Sequence, residues 1–162
     1  QRVGTRWGKG RLGLGPGGMQ PAWGERSTAE VLPQQRVGKV LARHTVGLAD
    51  ALSAAAIPTD ELLDDSLPQS LDQCIRAYGL RHFKIKINGN LDADHERLRS
   101  VAATIGQNAP SDYAFSLDGN EQFKSVDDFR NHWASLAADA ELTSFFKHLL
   151  FVEQPRSEEH TV

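Results

Sequence analysis

The sequence predicts an α/β fold in which parallel strands alternate with helices, and three observations carry that reading. Residues 81–88 read Arg-His-Phe-Lys-Ile-Lys-Ile-Asn. With the period of two that a strand imposes, Phe83, Ile85 and Ile87 share one face and Lys84 and Lys86 the other. Two later apolar runs end in an acid, Tyr113–Leu117 before Asp118 and Leu149–Val152 before Glu153. The spacing from Lys86 to Asp118 is 32 residues and from Asp118 to Glu153 is 35, each the size of one strand–helix unit. Such alternation argues for parallel strands joined by right-handed crossovers.

The bounds set by composition agree. At 162 residues, 40% hydrophobic and 24% charged, the chain has enough apolar material for one domain with a sizeable core. A net charge of −3 leaves no basic footprint, so nucleic acid is not an expected partner. The single cysteine, Cys74, allows no internal disulfide; it fits a reducing, cytoplasmic setting and is expected on a helix as a small apolar residue. No apolar run reaches the length of a membrane span, the first residues lack the apolar centre of a signal peptide, and no membrane partner is expected. The chain begins at Gln1 and stops shortly after the strand that carries Glu153, which suggests a piece of a longer protein.

Taken in order, residues 1–24 are glycine-rich with no helical or strand period, and 1–36 is expected to be an irregular segment, a remnant of a preceding domain. Gly13–Gly18 formally satisfies G-x-G-x-x-G, but no strand precedes it, no helix follows and Pro16 sits inside it, so it reads as a loop. A short helix over 25–35, closed by Pro33, precedes the domain at 37–162. Val37–Leu48 is the first strand candidate, and on it His44 is the histidine to watch. Ala51–Ser66 is an irregular connection whose acids Asp60, Glu61, Asp64 and Asp65 are read as complementing the dipole of the next helix. Pro68 suits that helix's first turn, Leu71, Ile75 and Tyr78 form its stripe, and Gly79 ends it. Asn88–Asn90 is a turn, and Asp92 or Asp94 caps a helix with Leu91, Leu98, Val101, Ala102 and Ile105 on one face. After the Tyr113–Leu117 strand, Ser125–Asp127 opens a helix carrying Phe129, Trp133 and Leu136. A second helical stretch reaches Lys147, Leu149–Val152 is the last strand, and Gln154-Pro155 ends it.

In parallel α/β folds function gathers at the carboxyl ends of the strands, where Lys86, Asp118, Asn120 and Glu153 fall. A hard cation such as Mg²⁺ takes carboxylate oxygens and keeps waters for substrate, so Asp118 and Glu153 are candidate ligands, with Asn120 as a supporting amide. A nearby metal, and a second lysine, favour a neutral amine, which would make one of the pair Lys84 and Lys86 a usable base. Other cation motifs fit badly. Read as an EF-hand from Asp118, the sixth position is Phe123 and the twelfth Phe129, and the six histidines show no zinc spacing. No serine or cysteine nucleophile motif is present.

Lys84-Ile-Lys86, then Asp118-Gly-Asn120, then Val152-Glu153-Gln154-Pro155 resembles the enolase superfamily, nearest to its mandelate racemase and muconate lactonizing enzyme branch, over about residues 37–155. The resemblance implies a partial (β/α) TIM-type barrel, about the first four strands with their helices, behind a capping domain. It implies a Mg²⁺-dependent racemase, dehydratase or cycloisomerase that abstracts a proton beside the carboxylate of a small substrate through a metal-stabilised enolate. Lys86 would be the acid/base lysine and Lys84 the neighbour that tunes its charge; Asp118 and Glu153 would be the first two metal ligands, with Asn120 supporting them. A homo-oligomeric parent is compatible with it. The chain departs from the family's pattern in two respects. The third carboxylate ligand belongs to a fifth strand, which this chain does not reach, and Glu121 stands where glutamine is more usual. The competing expectation is a non-catalytic α/β domain, or a degenerate relative, in which the same charges scatter over solvated surface.

Overall fold

The structure is a computed structural model that describes Gln35 and residues 38–157, and Leu41–Val162 is one compact unit. The glycine-rich stretch, the Gly13–Gly18 motif and the helix expected before Gln35 therefore lie outside the described residues. The fold is α/β. Four strands, β1 (His44–Val46), β2 (His82–Lys86), β3 (Ala114–Asp118) and β4 (Leu149–Glu153), form a sheet in the order β1-β2-β3-β4. All three pairings are parallel. Four helices lie between them, α1 (Leu71–Tyr78), α2 (Leu91–Asn108), α3 (Val126–Ala137) and the single turn α4 (Thr143–Phe146).

The two faces of the sheet follow the alternation in the sequence. Phe83, Ile85, Ile87, Phe115 and Leu117 are fully buried with Ile75 of α1 and Leu98, Val101 and Ile105 of α2. Burial of each such side chain contributes about 1.5–3 kcal/mol, which makes this face the seat of stability. Phe115 also stacks on Phe145 of α4 with ring centroids 4.1 Å apart. Lys84, Lys86, Ser116 and Asp118 alternate with those residues on the opposite face.

Local chemistry sets the helix ends. α1 starts after Ser70 and stops at Gly79, whose φ of 61° is left-handed and suits a residue without Cβ. Its first turn holds Asp72, whereas Asp60, Glu61, Asp64 and Asp65 lie in exposed backbone before it, so the dipole expectation for that cluster does not hold. Pro68 likewise precedes the cap, and Tyr78 is exposed because it falls off the buried side of a helix only eight residues long. The Ala51–Ser66 connection contains two 3₁₀ turns, Ala54–Ala56 and Thr59–Glu61. For α2 the cap is Asn90, whose side chain accepts the Ala93 N–H, in place of the expected aspartates. Asp94 does something else: its two oxygens accept the N–H groups of Asn88 (2.9 Å) and Gly89 (3.0 Å), fixing the turn that leaves Lys86. His132 of α3 comes within 3.0 Å of Asp94, not aligned as a hydrogen bond, and both are buried. α3 is capped as expected by Ser125, which accepts the Asp128 N–H.

Of the described part of the strand expected over Val37–Leu48, residues 38–48, only His44–Val46 pairs with β2, and Val40 and Leu41 are exposed. The strand ends because Gly47 turns there, its N–H donating to the Asp50 carboxylate at 2.6 Å. Among the described residues no helix is long and apolar enough to cross a membrane.

Candidate active site at the strand ends

Register brings the predicted residues together. Lys84 pairs with Ser116, Lys86 with Asp118, and Asp118 in turn with Glu153 of β4. The shared side of the sheet therefore carries Lys84, Lys86, Asp118 and Glu153 within reach of one another. The Lys84 ammonium lies 2.8 Å from Asp118 Oδ2 and 3.2 Å from Glu153 Oε2. Lys86 lies 2.8 Å from the same Asp118 oxygen and donates to Asn120 Oδ1 at 2.6 Å. All five residues expected from the sequence thus join one cluster, and the scattering required by the competing expectation is not seen.

Sequence reading missed two members. Arg43, just before β1, donates to Glu153 Oε1 at 2.7 Å and to Ser116 Oγ at 2.5 Å. Ser116 itself donates to Glu153 Oε1 at 3.1 Å and is fully buried. The signal that could have found Ser116 is its place two residues before Asp118, on the same face of β3. Nothing in the spacing pointed to Arg43, since its partner is 110 residues away. His44 is not part of the cluster; it lines a separate cleft of about 650 Å³ beside β1, with Cys74 and Arg97, that none of the five predicted residues borders.

Backbone geometry holds the acids at fixed spacing. Beyond the strands the ladder continues through Gly119 N–H to Glu153 O (3.0 Å), Glu121 N–H to Gln154 O (2.7 Å) and Phe123 N–H to Pro155 O (3.0 Å). A Cβ on Gly119 would stand 2.8 Å from Pro155 Cα and 3.1 Å from Gln154 O, so only glycine fits that crossing unless backbone shifts. Asn120, Glu121 and Gln154 have φ of 43°, 62° and 44°. Left-handed non-glycine residues cost about 1–3 kcal/mol each and cluster where a site demands them.

Asp118 is 1% exposed at its side chain. Burial works to raise its carboxyl, but Lys84, Lys86 and the Asn120 N–H outweigh burial and hold it at about 2, down from 3.8. Glu153 is lowered too: burial opposes ionisation, and Arg43, Lys84 and Ser116 overcome it. The Lys84 amine is raised, chiefly by Asp118 and further by Glu153, against the effect of its own desolvation. In this arrangement Lys84 is a charged partner; a depressed lysine requires a further positive charge among these groups.

A pH dependence follows. Asp118 stabilises the fold above its unfolded pKa of 3.8, and the contribution is lost as pH falls from there to about 2. The lost part is on the order of 2 kcal/mol. Urea unfolding between pH 5 and 2 is expected to show this acid limb, and Asp118→Asn to flatten it; an equally steep limb in the variant would assign it to other carboxyls.

The donor set suits a hard divalent cation in kind. Asp118 and Glu153 present carboxylate oxygens on paired positions, Asn120 adds an amide oxygen, and two carboxylates with waters is a common Mg²⁺ complement. Their oxygens face Lys84, Lys86 and Arg43, and among the described residues no three of His, Cys, Asp and Glu gather as a metal cluster. No family model matches the chain, and neither a curated protein nor a solved structure does.

Proposed function

We propose that this chain is the first half of a (β/α) barrel of the enolase superfamily, mandelate racemase and muconate lactonizing enzyme-like. Its parent would be a cytoplasmic, Mg²⁺-dependent racemase, dehydratase or cycloisomerase that removes a proton beside the carboxylate of a small substrate. One observation carries the reading: Lys84, Lys86, Asp118 and Glu153 converge at the carboxyl ends of three adjacent parallel strands. Asp118 and Glu153 would hold Mg²⁺, with Asn120 in support. When bound, the ion supplies positive charge against the negative charge that develops on the substrate carboxylate. Lys86 is the group that takes and returns the proton, its Nζ held in place by Asp118 and Asn120. Lys84 sets the charge around it, bridging the two acids.

A second reading has an observation in its favour. Both acids are already paired with cations, so a structural ion-pair cluster in a non-catalytic relative accounts for the same contacts. Titration calorimetry of Mg²⁺ into the chain and into Asp118→Ala/Glu153→Ala, with folding checked by circular dichroism, separates them. Saturable binding that the double variant loses is the expected result. A folded wild type that takes up no Mg²⁺ would favour the structural cluster.

A further inference from the structure

α2 and α3 pack on the sheet face opposite to the lysine–acid cluster, and where the two helices meet three polar side chains form a line. His95 of α2 stands between Ser135 on α3 and Asp139, which follows α3. Its Nδ1 is 2.8 Å from Asp139 Oδ2, and its Nε2 is 3.3 Å from Ser135 Oγ. The Asp139 carboxylate is held from other sides as well, accepting Arg99 Nε–H at 2.9 Å and the Glu141 N–H at 2.9 Å. A carboxylate only accepts, so Nδ1 carries the proton of the neutral imidazole and Nε2 accepts from the Ser135 hydroxyl. The acid is the deepest of the three: its side chain is 3% exposed, that of His95 is 19% exposed, and Ser135 is half-buried. No sequence motif announces the arrangement, since His95 is 40 residues from Ser135 and 44 from Asp139.

We propose that Ser135, His95 and Asp139 form a second reactive site, in which a serine nucleophile, its general base and a positioning acid act on activated esters of short apolar acids. The site shares no residue with the one proposed above and does not rest on it. A nucleophile, a base and an orienting acid within hydrogen-bond reach recur on unrelated folds and are recognised by geometry, not by sequence order. Ser135 Oγ bonds to the ester carbonyl carbon as its proton passes to His95 Nε2. The adduct then breaks the carbon–oxygen bond to the alcohol, which leaves with that proton. Water repeats the step on the acyl-serine, so that ester and water become acid and alcohol and Ser135 is restored. Two observations set the substrate class. The neighbouring backbone donors are spent: Ser135 lies inside α3, and the N–H groups of Ala138 and Asp139 bond to Ala134 O and Leu136 O. Without an amide pair for the oxyanion, an ester must bring a good leaving group, as an aryl ester does. Arg99 and Glu141, which hold Asp139, also line a groove of about 340 Å³ with Ala102, Ala103, Tyr113 and Phe145, a lining that suits a short apolar acyl chain.

The test treats the 162-residue chain with diethyl p-nitrophenyl phosphate, locates the label by peptide mass mapping, and follows hydrolysis of p-nitrophenyl butyrate. Labelling of Ser135 is expected, and Ser135→Ala should lose it and hydrolyse the ester about tenfold more slowly or worse. His95→Gln should slow labelling about a hundredfold, the lower end of what a positioned base contributes. Asp139→Ala should slow it about tenfold and release His95 from the single Nδ1–H tautomer of the wild type, read from the imidazole ¹⁵N shifts. Butyrate should be preferred to acetate about threefold or more, and the reverse order would remove the groove from the proposal. No label on Ser135 in the folded wild type, an unslowed Ser135→Ala or His95→Gln, or a wild-type His95 that mixes tautomers would each overturn the site. Alanine suits the interior of α3, so Ser135→Ala is expected to fold. Should Asp139→Ala unfold, the wild-type label and tautomer and the other two variants carry the same decision.

Discussion

Asp118→Asn is expected to destabilise the fold by about 2–3 kcal/mol and to abolish measurable Mg²⁺ uptake. Removing one partner of a buried charge pair costs about 3–5 kcal/mol, because the other is left uncompensated. Here the buried member is itself removed, and both lysines keep access to water and to second partners, Glu153 for Lys84 and Asn120 for Lys86. That access brings the figure down to the bottom of that range or just below it. Urea unfolding at neutral pH measures it, and the gap from wild type should close as pH approaches 2. A variant within about 0.5 kcal/mol of wild type would mean that the lysines interact with Asp118 no more strongly than surface ion pairs do.

Gly119→Ala should cost about as much through sterics alone. Its Cβ would meet Pro155 Cα at 2.8 Å, a contact that no side-chain rotation relieves. The backbone must move, which costs about 1–3 kcal/mol. The same movement breaks the hydrogen bond from the residue-119 N–H to Glu153 O and so changes the spacing of Asp118 and Glu153. Mg²⁺ affinity is expected to fall about tenfold or more, because 1 Å of misplacement at a site is enough for such losses. Urea unfolding and Mg²⁺ calorimetry on one sample test both halves. Wild-type stability and affinity together would show that the Gln154–Pro155 segment yields freely.

The sheet was legible because β2 and β3 are long enough to show period two and end in chemically distinctive residues. Phe83, Ile85, Phe115 and Leu117 announce one face, and Lys84, Lys86 and Asp118 the other. Among the described residues β1 is shorter than the strand the sequence predicts, because apolar residues such as Val40 resemble strand residues locally, while its carboxyl end is set by a bond from the Gly47 N–H to the Asp50 side chain. Asp94 was readable as a helix-start acid, but not as the acceptor of two turn amides, since that depends on where the Asn88–Asn90 backbone points. Arg43 was invisible for a different reason. A three-residue strand has no pattern to speak of, and the contact with Glu153 exists only after β2 and β3 have come between them.

The strand order bears on how the molecule is made. Order in the sheet is order in the chain, so each strand docks on the one just synthesised and no slot is held open for a later segment. Every pairing closes a stretch of about 30–40 residues, and the entropic cost of closure is spread over three similar steps. Growth can therefore run from the amino to the carboxyl end as the polypeptide leaves the ribosome. Lys84, Lys86 and Asp118 meet when β3 is laid down, and Glu153 reaches them only with β4. Of the four strands, the one that brings the second acid joins last: until β4 is laid down, Asp118 stands with two lysines and no Glu153.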